Sequence, residues 1–272
     1  MSFAPVLPAS GYVGWTVLQR TKDAQTAAFN RNPELSRDEA YFREKIKSVK
    51  TPDDLVGDRR LLKVALAAFG LEADINAKAF IRKVLADGTL TEGGLSSRLA
   101  DKSYERLSAA FGFGDFTTPS TQLSDFPDRI LKAYRERQFE VAVGLQNNDY
   151  RVSLTAEREL GTLAGKSSSE DTKWFSVMGS PPLRAVFEKA LGLPPSLGSL
   201  DLDKQLETFK DRAERLFGDA SIRQFTDPAK VDALVRRYLL QADAESLAGQ
   251  AGSGSAALQM LQQTLQNIRN AR

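Results

Sequence analysis

The side chains that carry most enzyme chemistry are missing from this chain. It has no cysteine and no histidine, so it lacks thiolate nucleophiles, disulfides, the commonest transition-metal ligand and the usual general base. Two explanations stay open for this double absence: a compositional bias, or export in an unfolded state, in which thiols and metal ligands would be harmful. We expect no catalytic residue, no metal site and no cofactor.

Two further patterns could hold phosphate or a cation, and both have simpler explanations. Residues 161–167 (GTLAGKS) resemble a phosphate-binding loop, but only three residues separate the glycines and a helix, not a strand, precedes them. We therefore interpret this stretch as a helix end. The acidic groups lack the spacing of a calcium loop, which leaves helix caps and solvated faces. These groups are Asp53, Asp54 and Asp58, and Asp201 with Asp203.

Charge does not predict nucleic acid or membrane as a partner. Thirty-seven basic and thirty-five acidic residues leave a formal net charge of +2, spread evenly along the chain. The pairs Arg59-Arg60 and Arg236-Arg237 have no interleaved aromatic residues, which favours surface or ion-pair roles. No apolar run approaches the roughly 18 residues of a membrane span, and we expect no cleaved secretory signal.

The remaining possibility is a role in binding other protein chains. Trp15 and Leu18 lie in a weakly amphipathic helix near the N-terminus, where a large aromatic residue is either part of the core or an interface anchor; we take both as candidate interface residues. The tail carries a narrow seam with 3, 4, 3 spacing, typical of a coiled coil. Roughly two heptads are unstable alone, so this helix requires a partner. The seam residues are Leu258, Leu261, Leu265 and Ile268.

The sequence contains strong helix signals, which predict the elements that carry these side chains. Residues 58–71 (DRRLLKVALAAFGL) are apolar around more than half of a helix, which predicts a central, buried element that ends at Gly70 in a Schellman cap. The same glycine ending returns at Gly112, 42 residues after Gly70, and at Gly192, a further 80 residues on. A period near 40 is typical of helical arrays. Both an ancient duplication and independent capping explain it.

Start signals complete the helical pattern. Residues 51–54 (TPDD) combine a hydroxyl cap, an N1 proline and two carboxylates, and we expect them to lead into the central helix. Ser36 with Glu39 predicts a capping box. No segment is a convincing strand. We predict an all-α fold, a multi-helix, array-like orthogonal bundle. Its parts are an N-terminal arm and helix over 1–30, a helical domain over 31–247, a Gly/Ser linker over 248–255 and a separate amphipathic tail helix over 256–272.

Several stretches resemble a known family, closely to about residue 115 and more loosely to about residue 241. They are residues 11–21 (GYVGWTVLQRT), 41–46 (YFREKI), 58–62 (DRRLL), 68–71 (AFGL) and 81–85 (IRKVL). The sequence is similar to an alphaproteobacterial domain family of unknown function often encoded among flagellar genes. The resemblance implies an all-helical protein tied to flagellar assembly or structure, with no catalytic residues to carry over.

The residues and the resemblance together predict a function. We expect a non-enzymatic structural or assembly protein of the bacterial flagellum that binds other chains, flagellar components or copies of itself, through its terminal helices. Terminal helices around a helical core, without cysteine or histidine, are similar to the exported axial proteins of the flagellum. Pro5 and Pro8 and the short tail depart from that pattern. The alternative is a cytoplasmic adaptor or chaperone for flagellar export.

Overall fold

The computed structural model describes residues 3–91 and 93–248, and within them there are thirteen α-helices and no strand. The prediction of an all-α fold is confirmed. The helices are α1 (Gly11–Phe29), α2 (Pro33–Lys45), α3 (Pro52–Gly57), α4 (Arg59–Phe69), α5 (Lys78–Asp87), α6 (Leu95–Arg98), α7 (Ser103–Phe111), α8 (Phe126–Gly144), α9 (Asn148–Ala164), α10 (Glu170–Met178), α11 (Pro181–Leu191), α12 (Leu202–Phe217) and α13 (228–248).

Helix α4 is the central helix that the sequence predicts. Seven of its eleven residues are buried, and it packs against α2, α3, α7 and, most extensively, α8. Its ends have the expected chemistry. The Asp58 carboxylate accepts from the backbone N–H of Arg60 and Leu61 at 2.9 and 3.1 Å. At the other end Gly70 has φ +76°, and the N–H of Leu71 reaches the carbonyl of Leu66 at 2.9 Å, which completes the Schellman cap.

The repeated glycine ending is confirmed as a local structure. Gly112 and Gly192 have φ +66° and +65°, so both adopt the left-handed conformation after α7 and α11. The N–H of Leu193 bonds to the carbonyl of Glu188 at 2.8 Å, as in a second Schellman cap, whereas Gly112 makes the simpler bond to Ser108 at 2.8 Å. Duplication of the repeat stays a prediction.

The structure confirms one of the two predicted helix N-caps and contradicts the other. Thr51 and Asp54 form a reciprocal capping box, but it begins the short α3 and not α4. The predicted box of Ser36 and Glu39 is wrong, because α2 begins one turn earlier, where Pro33 follows the cap residue Asn32. Asn32 accepts from the N–H of Glu34 at 3.0 Å.

One contiguous hydrophobic core runs through the described residues from Trp15 to Leu239. Helix α8 pairs with α9, and α9 in turn contacts α11. Helix α13 closes this side, since the Tyr238 hydroxyl donates to Asp149 in α9 at 2.5 Å and the Arg237 guanidinium to the carbonyl of Ala190 in α11 at 3.1 Å. Helices α8 and α9 thus contact elements from both the N-terminal and the C-terminal parts of the described chain.

Candidate functional site

The structure places Trp15 and Leu18 in the protein's own core and not on an interface. Their exposed fractions are 1% and 0%. The indole ring of Trp15 packs on the Tyr150 ring at a centroid distance of 5.7 Å, and the far end of α1 is held by Phe29 against Phe139 at 5.7 Å. Helix α1, predicted as part of an arm, therefore lies along α8 and α9, and neither candidate side chain is accessible to another chain.

Polar contacts explain how such a weakly apolar helix becomes buried. The side-chain amide of Gln25 makes two bonds to the backbone of Val6, accepting at 2.7 Å and donating at 3.1 Å. Gln19 and Lys22 both donate to the Glu157 carboxylate of α9, at 2.8 and 3.2 Å. Because these partners lie far away in sequence, apolar periodicity alone underestimates the burial of α1.

Close backbone approach fixes the segment before α1. The Tyr150 hydroxyl donates to the carbonyl of Gly11 at 2.6 Å. A Cβ added at Gly14 would lie 2.0 Å from the carbonyl oxygen of Ala9 and 2.3 Å from the Tyr150 hydroxyl, so only glycine fits there. The segment is therefore folded against α9 over residues that the sequence predicts as an extended arm.

The two ends of the described chain meet at one surface. The Asp243 carboxylate of α13 accepts from the N–H of Tyr12 at 3.3 Å, and the Arg236 guanidinium lies over the Tyr12 ring at 5.3 Å. Around this junction Val13 is 70% exposed, Leu240 48% and Leu247 66%. We call these three apolar side chains the terminal surface. The predicted tail seam, Leu258, Leu261, Leu265 and Ile268, lies outside the described residues.

A second feature is a cleft of about 410 Å³ between the end of α4, α7, α8, α9 and the start of α11. Both basic and acidic side chains line it, together with an apolar wall. We call it the arginine cleft. Its charged lining residues are Arg106, Arg137 and Arg151 with Glu72, Asp101, Glu140 and Glu159.

Two carboxylates of the cleft are paired with arginines, and one of them, Glu140, also accepts from the Thr155 hydroxyl at 3.0 Å. Glu159 receives Arg137 at 2.9 Å, Arg158 at 3.3 Å and Arg106 at 3.4 Å, with 8% of its side chain exposed. Glu140 is bound by two nitrogens of Arg158, at 2.7 and 3.2 Å. Buried carboxylates require such pairing, because an isolated buried charge is costly. This network joins α7, α8 and α9.

Other polar groups in the cleft keep donor capacity that the described residues do not use. Among the described residues Arg151 makes no ion pair, although its positive charge and that of Arg137 act on Glu72; its Nε and Nη2 both donate to the Asn148 side chain, at 3.0 and 2.8 Å. The Nε of Arg137 is buried and has no hydrogen-bond partner, and burial, with Arg158 adding to it, lowers the pKa of Arg137. Burial also raises the pKa of Glu72, whose oxygen lies 3.5 Å from the Gln138 amide.

The sequence carries no signal for this cleft. Its lining residues are single arginines and glutamates on separate helices, and each is ordinary for a solvated helix face.

The sequence patterns that did suggest chemistry have other roles in the structure: Asp54 and Asp58 cap helices, and residues 161–167 contain the end of α9, as interpreted. Within 3–91 and 93–248 no three His, Cys, Asp or Glu side chains are placed to hold a metal ion. No helix over those residues is both long and apolar enough for a membrane span.

The fold and these surfaces define an all-helical protein with one hydrophobic core and a charged cleft. Residues 68–231 match the model of a family described as "Protein of unknown function (DUF1217)". Since this match spans more than half of the sequence, the chain belongs to that family. No protein with a curated description matches.

A solved structure is similar over nearly the whole fold. Protein AGR_C_984 from Agrobacterium tumefaciens, known from an X-ray crystal structure, superimposes with a TM-score of 0.70 at 25% sequence identity. The match covers 89% of this chain and 99% of that chain. The predicted resemblance to a family of unknown function is confirmed by the family match, and the similar structure comes from Agrobacterium, an alphaproteobacterium. Neither description names a flagellum or any other function.

Proposed function

We propose that this protein is a structural or assembly component of the bacterial flagellum that acts by binding other protein chains and not by catalysis. The observation that carries the proposal is the terminal surface. Both ends of the described chain meet there, and three large apolar side chains, Val13, Leu240 and Leu247, are left in water.

The geometry of α13 supports a contact at this surface. Arg236, Leu240, Asp243 and Leu247 follow one another at steps of four, three and four residues, which places them on one helix face. The two charged residues of this face contact Tyr12 of the N-terminal segment, whereas its two leucines are exposed and do not pack in the core. Apolar side chains grouped in this way are typical of a protein contact, although single exposed ones are common.

The residues that follow α13 support the same proposal. The chain continues from residue 248 into a Gly/Ser-rich stretch and then into the seam of Leu258, Leu261, Leu265 and Ile268. The seam begins ten residues after the last described residue, which is close enough for one partner to bind both the seam and the terminal surface. We propose that the surface and the seam together form one binding region.

The flagellar assignment rests on the sequence resemblance described above. The family to which the chain belongs has no described function, and the experiment below therefore measures the cellular location. A cytoplasmic adaptor for flagellar export is the outcome that would replace it.

The test is cell fractionation with immunodetection. We expect the wild-type protein in purified filament, hook or basal-body material, and we expect a chain ending at residue 248, or the double variant Leu240→Glu with Leu247→Glu, to be lost from that fraction. Leu202→Glu, at a leucine of α12 that is 53% exposed, is the matched control and should keep the location. Deletion of residues 1–30 is a poor test, because it removes Trp15 and Leu18 from the core.

Two results would contradict the proposal. A wild-type protein found only in the cytosol rejects the structural role; if it still binds a flagellar export component through Leu240 and Leu247, the adaptor function replaces it. Unchanged location of both the truncated chain and the double variant rejects the terminal binding region.

A further inference from the structure

The arginine cleft plays no part in the proposed protein contact, and it has the features of a small-molecule site. We propose that it binds a small organic monocarboxylate, with the carboxylate on Arg151 and Arg137 and the apolar part of the ligand against the wall formed by α8, α9 and α11. The argument rests on unused donors, on charge balance and on the shape of the cleft.

Arg151 is a positioned cation with unused capacity. A guanidinium has five N–H donors in a planar fork, and here two of its nitrogens share a single amide oxygen, that of Asn148. The side chain is held against Gly144, where an added Cβ would lie 2.5 Å from the Arg151 Cδ. A carboxylate is the anion that matches this fork in a bidentate way.

Arg137 supplies further donors to the same cleft. Only its Nη2 is bonded, to Glu159, and its buried Nε has no partner. Its Nη1 lies where Gly70 leaves space, 2.8 Å from the position of an added Cβ. The Nε is closed off from solvent, so an acceptor in the cleft would reach the terminal part of this guanidinium, which lines the cleft with 13% of its side chain exposed.

The charge balance of the cleft favours a monoanion over a dianion. Three arginines line the cleft and a fourth, Arg158, neutralises Glu140 from behind, against the carboxylates of Glu72, Asp101, Glu140 and Glu159. The site is therefore close to neutral when empty, and a doubly charged phosphate would be repelled more strongly by these carboxylates than a singly charged carboxylate.

The rest of the lining favours an organic ligand. Five apolar residues form one wall of the cleft: Val141, Val152, Pro181, Pro182 and Ala185. Small-molecule sites usually have about 300–1,000 Å³ and combine an apolar lining with a few polar groups that orient the ligand. At about 410 Å³ this cleft lies at the small end of that range.

The test is titration of the purified full chain with hexanoate, followed by NMR and calorimetry. We expect saturable binding of hexanoate, weaker binding of inorganic phosphate, and no binding of hexanamide, which has the same shape without the charge. Arg151→Gln should weaken hexanoate binding about tenfold or more, which corresponds to about 1.4 kcal/mol. Glu72→Gln should strengthen it, because this change removes a nearby negative charge.

Controls separate binding from folding. Among the described residues Arg151 makes no ion pair and its guanidinium bonds only to the Asn148 side chain, so its replacement should leave the circular dichroism spectrum unchanged and the unfolding transition cooperative. Val141→Asp, at a 39% exposed position in the lining, should weaken binding without touching an arginine. Arg82→Gln, at an exposed arginine of α5, should have no effect. Absence of saturable hexanoate binding, equal binding of hexanamide, tighter binding of phosphate, or full binding by the Arg151→Gln variant would each overturn the proposal.

Discussion

The position of Trp15 gives the sharpest test of the structure, because the two roles considered for this residue predict opposite results. If Trp15 is in the core, Trp15→Ala destabilises the isolated chain at any concentration. If it is an interface anchor, the same change leaves the monomer stable and weakens association. The structure, in which 1% of the residue is exposed, predicts the first result.

The expected loss follows from burial and from one unsatisfied group. Burying an indole removes roughly 200 Å² from water, which at about 25 cal/mol per Å² is worth about 5 kcal/mol. The Trp15 Nε1 is buried without a partner, and such a donor costs about 1–3 kcal/mol, which the alanine variant recovers. We therefore expect Trp15→Ala to lower the free energy of unfolding by about 2–4 kcal/mol.

A smaller change isolates the unsatisfied donor. Trp15→Phe keeps most of the apolar contact with the Tyr150 ring and removes the unpartnered N–H. The lost volume and the recovered polar cost are of similar size, so we expect a change within about 1 kcal/mol. Trp174 stays in this variant as the single tryptophan reporter of unfolding.

The assay is urea unfolding, followed by circular dichroism and tryptophan fluorescence at two protein concentrations. Val13→Ala, two residues away at a 70% exposed position, is the control and should change stability by less than about 0.5 kcal/mol. An unfolding midpoint for Trp15→Ala equal to that of the wild type, together with altered elution in size-exclusion chromatography, would refute the packing of α1 and restore the interface role.

The remaining predictions concern a helix end and the cleft. Gly70→Ala and Gly192→Ala both place a Cβ at a residue with φ near +70°, so each should lower the free energy of unfolding by about 1–2 kcal/mol. Gly70→Ala should lower the melting temperature more than Gly192→Ala, because a Cβ at Gly70 also displaces Arg137, whereas nothing lies within 4 Å of a Cβ at Gly192. Burial raises the pKa of Glu72 in the folded state, so its carboxyl favours folding below the ordinary value of 4.5 and loses that contribution as the pH rises through the folded pKa. Glu72→Gln should therefore raise the melting temperature relative to wild type at pH 7 and lose this advantage near pH 4; a constant difference across that range would contradict the pKa direction.

The helical signals could be predicted from the sequence because they act within one turn. The Asp58 cap bonds to residues two and three positions away, and the Gly70 ending needs only a residue without a Cβ followed by an apolar one. The error at Ser36 has the same origin, since a second local signal, Asn32 before Pro33, competed with it and started the helix one turn earlier. Local patterns decide that a helix forms, and neighbouring patterns compete for its first residue.

The surfaces depend on which helices meet, and no local pattern contains that information. Trp15 is buried because Tyr150, far away in the sequence, lies on a helix that passes beside it. In the sequence Arg106 and Arg137 look like ordinary surface residues. In the structure both bind Glu159, which lies 53 residues after Arg106 and 22 residues after Arg137. From its sequence alone this chain is a set of well-capped, apolar helices without the side chains of common catalysis. The burial of α1, the contact of Tyr12 with α13 and the arginine cleft were decided only by tertiary packing, because contacts between helices are set by the shape and charge of whole faces and not by the spacing within one helix.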